Sequence, residues 1–103
     1  MEETTKNKIQ ELIDSKKVFV FIKGIPDMPQ CGFSSRVVGI LREIGVNDFG
    51  SFDVLSDDSI RGGIKEFSNW PTIPQLYING KFIGGSDIGA QMFESGELKK
   101  LLD

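Results

Sequence analysis

The chain has 103 residues, 39% hydrophobic and 26% charged, with a formal net charge of −3. This is the balance of a single globular domain, with no basic excess to hold nucleic acid and no run of the ~20 apolar residues that spans a bilayer. Histidine is absent and Cys31 is the only cysteine. That excludes Ser-His and Cys-His catalysis, internal disulfides, a Cys-x-x-Cys pair and a four-thiolate metal site built by one chain.

The first residues, Met1-Glu2-Glu3-Thr4-Thr5, are acidic and unlike a signal or transit peptide, although a transit peptide trimmed from the sequence stays open. Ile9, Leu12 and Ile13 recur at helical spacing and predict a helix over about residues 3–16. The unbroken apolar run that follows predicts a central strand over residues 18–23, buried on both faces. Residues 24–30 read as a loop, because two prolines stop both helix and ladder. Val37, Val38, Leu41 and Ile44 mark the buried face of a second helix after Cys31, closed by Gly45. A short strand over residues 49–55 leads into a third helix that opens on Asp57-Asp58 and carries Ile60, Ile64 and Phe67, weakened by Gly62-Gly63. Asn79-Gly80 between two apolar runs calls for a type I′ turn and an antiparallel hairpin. Ser86 is placed to cap a helix to about residue 95, and residues 97–102 make a last helical turn or two. The expected fold is α/β: a four-stranded mixed sheet with helices on both faces.

Cys31 falls at or beside a helix N-terminus, where backbone N–H groups and the helix dipole favour a thiolate. The alternative is a buried cysteine acting as a small apolar residue. Lys23, Arg61 and Lys65 either converge beside it on a carboxylate or are solvated surface cations. In Trp70-Pro71-Thr72-Ile73-Pro74, a cis bond before Pro74 would present the Ile73 backbone to an extended peptide; a trans proline opening an edge strand is the other reading. Free N–H groups at Gly84-Gly85-Ser86-Asp87 suit a second carboxylate and Asp87 an amine, alongside simple helix capping. Glutathione, with two carboxylates, an amine and a thiol, satisfies all four clusters.

Lys23-Gly24, Cys31-Gly32-Phe33-Ser34, the stretch from Trp70 to Gln75 and Gly84-Gly85-Ser86-Asp87 together resemble the monothiol, CGFS-type glutaredoxins, from about Ile9 to Leu102. The resemblance implies a thioredoxin fold with Pro74 cis. It implies a homodimer bridged by a [2Fe–2S] cluster, with Cys31 as iron ligand and Lys23, Arg61, Ile73, Ser86 and Asp87 binding glutathione. Two Cys31 thiolates and two glutathione thiolates complete the four ligands such a cluster takes. Cluster transfer to acceptor proteins is the implied function, and the family allows pairing with BolA-family proteins. The alternative is a monothiol oxidoreductase for protein–glutathione mixed disulfides, with Cys31 as nucleophile. Ser34 stands where dithiol relatives have a second cysteine. Ser86 stands where many members have cysteine, which removes a disulfide to Cys31. The resemblance favours mitochondrial members, with bacterial cytoplasm or plastid as alternatives.

Overall fold

A computed structural model describes residues 1–103. Five helices are formed: α1 (Glu3–Asp14), α2 (Gly32–Ile44), α3 (Asp58–Ser68), α4 (Ser86–Ser95) and α5 (Glu97–Leu102). The strands are β1 (Val18–Ile22), β2 (Gly24–Ile25), β3 (Met28–Pro29), β4 (Gly50–Asp53), β5 (Gln75–Ile78) and β6 (Lys81–Gly84). None of the helices is long and apolar enough to cross a membrane.

The main sheet has the order β4-β1-β5-β6, with β4 parallel to β1 and the other two pairs antiparallel. Every residue of β1 is buried. Alternate side chains serve opposite faces, as strand geometry requires. Phe19 and Phe21 join Ile9 and Ile13 of α1 and Ile60 and Ile64 of α3 in one cluster. Val18, Val20 and Ile22 join Val37, Val38 and Leu41 of α2 and Leu98 of α5 in the other. The mixed sheet with helices on both faces is thus the architecture observed.

Three segments differ from the sequence reading. Residues 24–30 are not an unstructured loop: Ile25 pairs with Met28 and Gly24 with Pro29 in a two-residue hairpin. Pro26 presets the turn, and Pro29 is tolerated because a ladder this short and open at its edge has little need of its missing N–H. Gly24 is obligatory there, with φ 90° and no room for a side chain, since a Cβ would lie 2.7 Å from the Met28 carbonyl oxygen. The strand expected over residues 49–55 stops at Asp53, because the Asp53 carboxylate accepts the Leu55 N–H at 2.9 Å and turns residues 54–56 into a 3-10 helix. Ser86 does not cap α4: Gly85 holds the N-cap position, Ser86 is the first helical residue, and no side chain caps this end. The extended backbone of Gly85 starts the helix one residue before a serine cap would.

The other signals are matched in the structure. Asn79 and Gly80 have φ of 53° and 78°, as a type I′ turn demands. Asp57 caps α3 by accepting the Ile60 N–H at 3.1 Å. Phe21 lies at the centre of the aromatic set, its ring 5.1 Å from Phe19, 5.7 Å from Tyr77 and 6.4 Å from Phe52. Replacing Phe21 by alanine should cost about 3–5 kcal/mol, a large part of the ~5–15 kcal/mol available to a domain. Urea unfolding should show this as a lower midpoint at unchanged slope; a midpoint within experimental error of the wild type would contradict the packing described.

Candidate functional site

Cys31 is the N-cap of α2, in extended conformation (φ −156°, ψ 142°), and is only partly buried. Burial pushes its thiol up. The N–H and hydroxyl of Ser34, the N–H of Phe33 and the charge of Lys23 oppose this, and the balance lies below the ordinary thiol value. The N–H groups and hydroxyl at the start of α2 and the positive charge of Lys23 together favour the thiolate.

Ser34 is held rigidly. Its side chain is fully buried and its Oγ accepts the Lys23 N–H at 3.1 Å. The next backbone groups are fixed as well: the Gln30 N–H donates to the Lys23 carbonyl at 2.8 Å, and the Gly24 N–H donates to Asp53 Oδ1 at 2.9 Å. The end of β1, the small hairpin and the start of α2 therefore form one hydrogen-bonded corner, with the sulfur on its edge.

A cavity of about 430 Å³ opens beside this corner, lined by Lys23, Phe33, Lys65, the loop of residues 70–74 and residues 85–88. That volume suits a small peptide-like ligand. Neither Lys23 nor Lys65 has a carboxylate partner within 4.0 Å, whereas Asp87 is paired with Arg36 at 3.3 Å. Two buried polar atoms in its lining residues, Trp70 Nε1 and Ser86 Oγ, find no partner in the chain. Buried polar groups are normally satisfied, so these orphans fit a site built for a ligand rich in acceptors. The Ile73–Pro74 bond is cis, as the resemblance implies. Gly85 passes so close to this loop that a Cβ would lie 3.2 Å from the Pro74 carbonyl oxygen.

Of the residues singled out in the sequence, Lys23, Ile73, Ser86 and Asp87 line this one cavity. Arg61 is half-buried on α3 and does not line it; Lys65, one turn further along the helix, does. Cys31 is not in the lining either, but its neighbours Lys23 and Phe33 tie it to the cavity. Trp70, Thr72 and Phe33 are wall residues to which the sequence reading gave no site role. The signal for Phe33 was its place two residues after the cysteine, and for Trp70 its place at the head of the proline loop.

Fold and site together define a thiol protein of the thioredoxin fold: a single cysteine at a helix start beside a cationic cleft floored by a cis-proline loop. The chain belongs to the glutaredoxin family, whose profile matches residues 18–83, and its relatives are named monothiol glutaredoxins. It is 53% identical over 103 residues to an uncharacterised monothiol glutaredoxin of Synechocystis, covering all of this chain and 95% of that one. It is 58% identical over 94 residues to monothiol glutaredoxin-S17 of Arabidopsis thaliana, covering 91% of this chain and 19% of that much longer protein. Further relatives come from mitochondria and from bacteria. Among solved structures, the buckwheat glutaredoxin–glutathione complex superposes with a TM-score of 0.84 at 28% identity, covering 99% of this chain and 93% of that one.

The environment of Cys31 makes a pH profile the direct test of the corner. Because the thiol titrates below the ordinary value, its alkylation by iodoacetamide should rise at lower pH than for a free cysteine, near 8.5. Ser34→Ala removes a hydroxyl that favours the thiolate, so the profile should move upward. A profile unchanged in Ser34→Ala would show that the hydroxyl has no part in the thiol's acidity.

Proposed function

We propose that this protein is a glutathione-dependent carrier of [2Fe–2S] clusters, receiving the cluster and passing it to acceptor proteins. The observation that carries the reading is the donor count beside the cleft. One chain brings one thiolate and no histidine, and no three His, Cys, Asp or Glu side chains converge as a metal site. A [2Fe–2S] cluster takes four ligands, typically thiolates. Two chains and two glutathione thiols supply them, so the loaded form is a homodimer in which the cluster is cargo.

The cleft fits the thiol co-ligand. In this reading Lys23 and Lys65, the two cations of the lining, hold one glutathione carboxylate in place of the expected pair Lys23 and Arg61; the Ile73 backbone pairs with the peptide, the N-terminus of α4 at Ser86 receives the second carboxylate, and Asp87 takes the amine. The glutathione complex of the buckwheat relative supports this choice of ligand. Ligands that are free molecules leave more readily than a fourfold protein site, which suits transfer. BolA-family proteins are proposed as alternative partners across the same cluster. The mitochondrial matrix is the proposed compartment, with bacterial cytoplasm or plastid as alternatives, in keeping with the range of the relatives.

The raised acidity of the Cys31 thiol, set against burial by the Ser34 and Phe33 groups and the Lys23 charge, favours a second reading, a monothiol oxidoreductase. The Cys31 thiolate would attack the glutathione sulfur of a mixed disulfide, release the protein thiol and form a Cys31–glutathione disulfide. A second glutathione thiolate would then free Cys31 and leave as glutathione disulfide.

Anaerobic reconstitution with iron, sulfide and glutathione should give a brown dimer, reverting to a colourless monomer when glutathione is removed. Cys31→Ser should stay colourless, and Ser86→Ala should still take up cluster. A wild type that stays colourless yet turns over glutathionylated substrate would replace the carrier reading with the oxidoreductase one. Lys23→Ala and Lys65→Ala should each weaken glutathione binding by about 1 kcal/mol, below the usual range for a charge-assisted contact because both side chains are partly solvated. An NMR titration in which both variants bind as the wild type does would remove these residues from the ligand site.

A further inference from the structure

Gln75 opens β5 directly after Pro74 and is 0% exposed. A buried amide must find partners for its donors and its acceptor. Its Nε2 donates to the Trp70 carbonyl oxygen at 3.2 Å and to the Thr72 carbonyl oxygen at 3.3 Å, and its Oε1 accepts the Tyr77 hydroxyl at 3.1 Å. Two partners can only accept and the third donates, so the chemistry fixes the orientation of the amide. Burial pushes the Tyr77 phenol up to about 12, which keeps it protonated and donating at neutral pH.

The two carbonyls belong to the loop whose residues 70–74 all line the cavity, and Gln75 itself does not line it. Tyr77 belongs to the core cluster under α1 and α3. The amide therefore ties the wall of the cleft to the interior of the domain. We propose that Gln75 is a positioning residue for ligand binding: it holds the carbonyls of Trp70 and Thr72 inward, and so presents the ligand-facing side of the loop in one conformation. The corner at Cys31 is built from other contacts, Ser34 to Lys23 and Gly24 to Asp53, so the loop and the thiol are positioned separately.

This inference rests on the glutathione reading above only for its probe. Reduced glutathione is titrated into the full chain and followed by NMR, and the pH profile of Cys31 alkylation is measured on the same samples. Gln75→Met keeps the length of the side chain and removes all three bonds; it should weaken glutathione binding at least fivefold and leave the Cys31 profile where it is. Gln75→Asn, one methylene too short to reach both carbonyls, should do the same and serves if the methionine variant does not fold. Tyr77→Phe spares both carbonyl bonds and should change affinity less than twofold. Affinity within twofold of the wild type in the folded Gln75 variant overturns the proposal. So does a Cys31 profile that shifts together with affinity, which would indicate general loosening, and so does a Tyr77→Phe variant as weak as Gln75→Met. A wild type that does not bind glutathione at all would instead overturn the function proposed above, and the probe with it.

Discussion

Alternation along Val18, Phe19, Val20, Phe21 and Ile22 sends apolar side chains to both faces of one strand, so neither face can be left to water. Helices α1 and α3 cover one face, and α2 and α5 the other. With both faces sealed, polar chemistry has room only at the ends of the strand. Lys23 is the first polar residue past β1, and the cysteine corner assembles around its backbone. This is the usual place for a ligand in an open α/β sheet, beyond the carboxyl end of a central strand.

What fixes that end of the molecule is short-range and buried or half-buried. The Lys23–Ser34, Gly24–Asp53 and Gln75 contacts are hydrogen bonds with at least one sheltered partner. The side-chain ion pairs, by contrast, lie between largely exposed groups and contribute little to stability. Charge in this protein is therefore arranged for the cleft more than for the fold. Lys23 and Lys65 stand without carboxylates, while the acidic member of the cleft, Asp87, already has Arg36 beside it.

Periodicity carried most of the fold. The helices over Ile9–Ile13 and Val37–Leu41, the doubly buried strand and the Asn79-Gly80 hairpin all follow from side-chain spacing or turn chemistry that acts locally. The hairpin at Gly24 did not, because its two prolines argue against a ladder and the contact that anchors it comes from Asp53, far along the chain. Ser86 misled for a related reason: serine before a helix reads as a cap, but the extended Gly85 starts α4 early and leaves the hydroxyl unpartnered. In the site, the cysteine, its glycine and the proline loop carry their chemistry in the sequence. The exchange of Arg61 for Lys65 as a lining cation depends on how α3 meets the sheet, which no spacing rule reports. Gln75 was visible as a lone amide at the head of an apolar strand, yet its partners are carbonyls, and backbone groups leave no trace in composition.

Trp70 is the chain's only tryptophan, and it stands in the wall of the cleft against Phe82, ring centres 5.7 Å apart. No second indole elsewhere in the fold contributes to the same signal. The protein's near-ultraviolet emission is consequently an optical gauge of a single place, the floor loop of its own cleft. Polarity, solvent access and motion at that loop can be followed in the unlabelled native chain by exciting at the red edge of the indole band, where the one tyrosine, Tyr77 in the core, absorbs little.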